Sequence, residues 1–140
     1  MMDATEGADK DRSEAEEYRA SEPQPGDAEL AVIVRSVDEG QAGAMPVTVL
    51  VGGKSLSGNL ISGASWWETM GQRARGTEGS DASEQFAAGA DSVSRLYRNA
   101  DIVKRRPVEY LHMQNVLTGN SRLTGWRIRI EEVQAWRWGR

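Results

Sequence analysis

The stretch Pro46-Val-Thr-Val-Leu-Val-Gly-Gly-Lys-Ser-Leu-Ser-Gly-Asn-Leu-Ile-Ser62 decides the fold. Val47, Val49 and Val51 alternate with Thr48 and Leu50, the period of two that puts one set of side chains on a buried face, so a strand is expected. Gly52-Gly53 can take the positive φ values of a tight hairpin turn, and Leu56 and Leu60 then resume the same-face spacing. The second strand therefore returns against the first. Gly58 lies between those leucines, and a glycine inside a strand weakens it unless the missing side chain is used. The expectation is a sharp bend there, of the kind that strands in small closed barrels need.

The chain has 140 residues, enough for one core with an appendage. There is no cysteine, hence no disulfide framework, thiolate site or cysteine nucleophile, and His112 is the only histidine. No window approaches the roughly 20 apolar residues of a membrane-spanning helix, and the N-terminus lacks the basic and then apolar order of a signal peptide. A cytoplasmic protein with no membrane association is expected. The net charge of −4 hides a split, because residues 1–29 carry 10 acidic and 3 basic side chains and the remainder carry 11 and 14. This describes an acidic tail on a mildly basic domain.

Residues 1–26 are rich in Glu, Asp, Ala, Ser and Pro, with Tyr18 the one aromatic. Such a segment buries too little apolar surface to offset its ordering entropy, so a disordered acidic tail is expected, followed by a single domain over residues 27–140. Asp27 is placed to cap a helix from about Ala28 to Glu39, with Leu30, Ile33, Val34 and Val37 at helical spacing and Gly40 as the stop. After the hairpin, Ser65 is the expected cap of a short helix carrying Trp66, Trp67 and Met70. Gly71 to Ser80, with three glycines and no apolar periodicity, reads as a mobile loop. A further helix from Asp81 or Ser83 would carry Phe86, Ala90, Val93 and Leu96 or Tyr97 on one side. Lys104-Arg105-Arg106 is a compact basic cluster before Pro107, read as a solvated turn in preference to an anion contact. Alternation returns over Val108 to Val116, with Leu111 and Met113 on one face and Tyr110, His112 and Gln114 on the other. A turn at Thr118 to Ser121 leads to Trp126 to Ile130, where Trp126, Ile128 and Ile130 point inward and Arg127 and Arg129 outward. Val133 to Trp138 is the fifth strand.

Two blocks of this chain resemble the gas vesicle accessory protein GvpU family. The first is Val47 to Ser62 continued through Trp66-Trp67-Glu68, and the second is Tyr110-Leu-His-Met-Gln-Asn-Val116 followed by Gly125 to Gly139. Gln134-Ala135 departs from the family tendency toward Asp-Gly, and Trp136 and Trp138 stand where smaller side chains are usual. The resemblance implies a gas vesicle accessory protein acting through contacts with shell or accessory proteins in vesicle assembly or clustering. It brings no catalytic motif. The element order is also that of a small Sm-like barrel. The expected architecture is α+β: a small, strongly bent five-stranded antiparallel β-barrel, Sm-like or SH3-like, with an N-terminal helix and a helical insertion over about residues 64–103 between strands two and three.

The residues offer little chemistry. His112 has no serine or carboxylate placed beside it by sequence, so a structural histidine is expected. Adjacent acids such as Glu131 and Glu132 point to opposite faces of a strand. Gly52-Gly53-Lys54-Ser55 lacks the upstream glycine of a phosphate loop and enters a strand. No catalytic residue, metal site or cofactor is expected. Trp126, Arg127, Arg129, Trp136, Arg137 and Trp138 form the one constellation that points to binding, since tryptophan and arginine concentrate at interface centres. An Sm-like RNA-binding module is the alternative, because bases stack on tryptophan beside arginine in the same way. The acidic chain makes nucleic acid the weaker partner. Trp136 and Trp138 share one strand face and Val133 and Ala135 the other. If the latter pair fills the core, both indoles face outward as an oligomer or partner interface, unless a bulge intervenes. Packing of the tryptophans beneath a helix is the competing structural reading.

Overall fold

In a computed structural model of the chain, the described residues are 28–77 and 79–140. The expected acidic tail over residues 1–26 and the Asp27 cap lie outside them. Helix α1 (Ala28–Asp38) buries Leu30, Val34 and Val37, the i, i+4, i+7 face anticipated from spacing. Strands β1 (Met45–Val51) and β2 (Lys54–Ile61) pair antiparallel with Val51 opposite Lys54. Gly52 and Gly53 make the two-residue turn with φ of 57° and 77°, as the hairpin requires.

Gly58 is used for close approach. A Cβ there would lie 2.9 Å from the Gln114 carbonyl oxygen on strand β3 (Tyr110–Thr118). The β2–β3 register shifts at this point, between Ser57 and Asn59, and Asn115 takes a φ of 54°. Asparagine tolerates that left-handed conformation better than most residues, so the extra residue of a β-bulge sits in β3. Strand β4 (Ser121–Arg129) follows a tight turn, and a 3₁₀ turn over Ile130–Glu132 leads to β5 (Val133–Trp138).

The strand order is β4-β3-β2-β1-β5, all antiparallel, and this corrects the barrel expectation. The sheet is not closed. The 3₁₀ turn carries the chain away from β4, so that β5 crosses to pair with β1 instead of folding back as a hairpin. Among the described residues, β4 and β5 are the two edge strands of the sheet.

Between β2 and β3 lie helices α2 (Gly63–Thr77), α3 (Asp81–Arg98) and α4 (Ala100–Arg105). The loop expected over Gly71 to Ser80 is largely helical instead. Gly71 serves as a spacer where α2 meets α3, since a Cβ there would lie 3.3 Å from the Ala90 Cβ, and Arg75 bonds Asp91 at 2.7 Å. The cap of α2 is Ser62, whose hydroxyl accepts from the Ser65 amide at 3.1 Å, in place of the expected Ser65. Helix α3 starts at Asp81 behind a Ser80–Ser83 capping box. Its buried residues are Ala87, Ala90 and Ser94, so the expected inward Phe86 and Leu96 are in fact 47% and 42% exposed. Small residues let α2 and α3 pack closely, which turns the larger ones outward.

Candidate functional site

The core occupies one face of the sheet, where Leu60, Leu111, Met113 and Val116 pack with the α1 side chains. The other face is covered by the helical insertion. Gly63 and Gly125 permit this cover: a Cβ at Gly63 would lie 2.4 Å from the Tyr97 ring, and one at Gly125 would lie 2.8 Å from Met70 Cε. Beneath it, His112 is fully buried between Trp66 and Tyr97, with ring centroids 5.4 and 5.3 Å away. Across the β3–β4 pair, Arg127 Nε donates to His112 Nε2 at 3.3 Å. That bond leaves the imidazole proton on Nδ1, which finds no partner among the described residues. Burial first, and the Arg127 charge second, push the His112 pKa down to about 3. The ring is therefore buried and kept neutral near pH 7.

Arg127 is the pivot of this face. Its guanidinium carbon lies 3.4 Å from the Tyr110 ring centroid and 5.5 Å from that of Trp67, a cation held against aromatic faces. Beside it opens a cleft of about 300 Å3, with Asp38, Trp67, Tyr97, Arg106 and Arg127 among its walls and Val93, Leu96, Ile102 and Val103 as its apolar lining. Asp38, at the end of α1, accepts from the Gly63 amide at 2.8 Å. Burial pushes its carboxyl up to about 6, against the lowering pull of that amide and of Arg35. Burial also raises the Tyr97 phenol, with Arg127 opposing. Among the described residues, no carboxylate forms an ion pair with Arg127, Lys104, Arg105 or Arg106, and no three His, Asp or Glu side chains converge as for a metal.

The six residues singled out from sequence are divided by the fold. Trp126 lies opposite Met113, on the core-side face of edge strand β4, and is 45% exposed. Trp136 and Trp138 lie opposite Val49 and Val47 on edge strand β5, with Trp136 packed against the core and Trp138 65% exposed. Arg137, opposite Thr48, projects from the other face. Arg129 pairs with Glu131 at 2.5 Å, and Arg127 is engaged inside as described. Tryptophans and arginines thus occupy opposite faces, and β4 and β5 stand at opposite ends of the strand order. Sequence reasoning missed the cleft, whose walls come from every helix of the described chain and from two strands. The one available signal was the odd parity of Tyr110 and His112 facing Arg127, polar and aromatic groups that a solvated face would not need.

A family model described as gas vesicle protein GvpU-like matches residues 27–140. The chain belongs to the GvpU-like gas vesicle protein family. No curated protein and no solved structure matches it. The GvpU-like match runs through the sheet with both its edge strands, the helical insertion and the cleft, whereas the two blocks of resemblance touch mainly strands. No helix among the described residues is long and apolar enough to cross a membrane.

Proposed function

We propose that this GvpU-like protein is a non-catalytic accessory factor, acting at gas vesicles in the cytoplasm through protein contacts made by the open edges of its sheet. The supporting observation is the pair of partly exposed indoles, Trp126 on β4 and Trp138 on β5, each on an edge strand of the sheet that the described residues form. An edge strand is a ready template for pairing, and natural edges are usually blunted by charge or cover. Here each edge strand carries a large exposed aromatic side chain, Trp126 on β4 and Trp138 on β5. Such residues supply contact area at interface centres. The partners in this reading are the vesicle shell, another accessory protein or a second copy of the chain, in assembly or clustering. Flotation with purified gas vesicles tests it. The full chain should rise with the vesicles, and Trp126→Ser with Trp138→Ser should leave it in the infranatant. A wild-type chain that stays below, with neither shell nor accessory proteins bound, overturns the reading. Salt-sensitive RNA binding in the same preparation would instead favour the Sm-like alternative.

A further inference from the structure

The cleft beside Tyr97 holds two acids and two arginines that do not neutralise one another. Asp38, Glu109, Arg106 and Arg127 all line it, and among the described residues no ion pair joins either acid to either arginine. Glu109 and Arg106 are exposed, whereas Asp38 and Arg127 are half-buried. The inner two are the unusual ones, because partly desolvated charges are normally matched by a partner. Asp38 accepts from the Gly63 amide, and with its carboxyl at about 6 it is largely ionised at pH 7. Arg35, the nearest cation along α1, donates instead to the Lys104 and Arg106 carbonyls at 3.0 and 3.2 Å. Arg127 has aromatic faces and the His112 ring as partners, and no carboxylate among the described residues. Tyr97 is common to both, since its phenol feels the charge of each. A further polar group is unsatisfied: the indole nitrogen of Trp67, another wall of the cleft, is buried and finds no acceptor among the described residues.

We propose that this cleft binds a free α-amino acid with an apolar side chain, its ammonium on Asp38, its carboxylate on Arg127 and its side chain against Leu96, Ile102 and Val103. The charge pattern selects this class. Two acids against two arginines give no net attraction for an anion or a cation, and a ligand of one charge would match one inner group and leave the other bare. A zwitterion matches both at once. The aliphatic walls then select the side chain, with Leu96 itself 42% exposed and open to contact. At about 300 Å3 the cleft is at the small end for ligand sites, which suits a molecule of amino-acid size better than a dinucleotide. The Trp67 N–H, on a ring whose centroid is 5.5 Å from the Arg127 guanidinium carbon, is an additional donor for the ligand carboxylate. This site is separate from the edge indoles, which stand on the other face of the sheet.

Amide chemical shifts of the full chain, followed during titration with L-leucine, L-phenylalanine, glycine, N-acetyl-L-leucine and L-leucinamide, test the site. L-leucine or L-phenylalanine should move the signals of Leu96, Ile102, Val103 and Glu109 saturably, with an apparent Kd on the order of 1 mM, and should leave Ala135 and Arg137 on β5 unmoved. Glycine, which lacks the side chain, should give no saturable shift. Loss of the ammonium in N-acetyl-L-leucine, or of the carboxylate charge in L-leucinamide, should weaken binding about tenfold or more, as removal of one hydrogen bond to a charged group does. Asp38→Asn keeps an acceptor for the Gly63 amide and should close the gap between L-leucine and N-acetyl-L-leucine. The analogue series uses the unaltered chain, so it decides the matter whether or not that variant folds. No saturable shift with either apolar amino acid, or shifts as large on β5, overturns the proposal. So does an analogue lacking one charge that binds as tightly as L-leucine, or a gap that persists in folded Asp38→Asn.

Discussion

On the face beneath α1, Leu60, Leu111 and Met113 are sealed by aliphatic neighbours, whereas on the opposite face the same strands seal His112 under Trp66 and Tyr97 with Arg127 as its hydrogen-bond partner. The first face is held by area removed from water, a force that does not depend on pH. The second is held by aromatic contact and by keeping an ionisable ring neutral, which ties its stability to proton concentration. One sheet therefore carries a robust side and a conditional side. The cleft lies on the conditional one.

Leu111→Ala and His112→Gln break the two sides differently, and both effects are large. Leu111 is fully buried, so truncation to alanine should cost about 3–4 kcal/mol by urea denaturation, nearly unchanged from pH 7 to pH 4. His112 has a folded pKa of about 3 against 6.5 when unfolded. Between those values the unfolded chain binds more protons, so the His112 contribution is intact above pH 6.5 and is lost as pH falls toward 3. The full loss is on the order of 3–5 kcal/mol at the acid end. Gln keeps an acceptor for Arg127 and does not titrate, so the variant should be less stable at pH 7 but should lose far less on acidification. An unchanged acid slope would show that the ring is not held neutral.

Asp38 sharpens the same contrast with the opposite sign. Its folded pKa of about 6 exceeds the ordinary 3.8, so in that window the folded chain binds the extra proton. Its contribution becomes less favourable as pH rises from 4 to 6 and stays so above. Asp38→Asn retains an acceptor for the Gly63 amide and removes the buried charge. It should stabilise the chain above pH 6 by about 1–2 kcal/mol, the full shift being discounted for partial exposure, and give no gain below pH 4. Chemical denaturation at pH 4 and pH 8 reads the difference.

The robust side was legible in the sequence because its rule is local. Val47, Val49, Leu56 and Leu60 follow strand parity, and Leu30, Val34 and Val37 follow helix spacing. The family resemblance drew on both sides, through the Val47 to Ser62 hairpin with Trp66-Trp67-Glu68 and through Tyr110 to Val116 with Gly125 to Gly139. The conditional side was not legible, because its determinants are tertiary. Gly71 looks like a loop residue until Ala90 is packed against it, and Gly125 looks dispensable until Met70 and Trp66 cover it. The open sheet escaped for a related reason. Whether β5 returns to β4 or crosses to β1 is set by the short 3₁₀ turn, and nothing in the alternation of Trp126 to Ile130 distinguishes the two routes.

The smallest expected stability effect concerns β5, where parity itself fails. Val51 pairs with Val133 and Leu50 with Ala135, so Gln134 is an extra residue in the strand, and the bulge puts Val133 on the same side as Trp136 and Trp138. Val133 is buried, Ala135 is exposed, and the choice between core and outward indoles resolves into one of each. Gln134 has its own use, since its side-chain oxygen accepts from the Gly53 amide at 3.1 Å and anchors the hairpin turn to β5. Trp136 packs on the core, so Trp136→Ser should cost about 2–4 kcal/mol. Trp138 is 65% exposed, and Trp138→Ser should change stability by no more than about 0.5 kcal/mol while reducing vesicle flotation or self-association. The order matters more than either value. A Trp138→Ser chain as unstable as Trp136→Ser, yet still associating normally, would place both indoles in the core and remove β5 from the proposed interface.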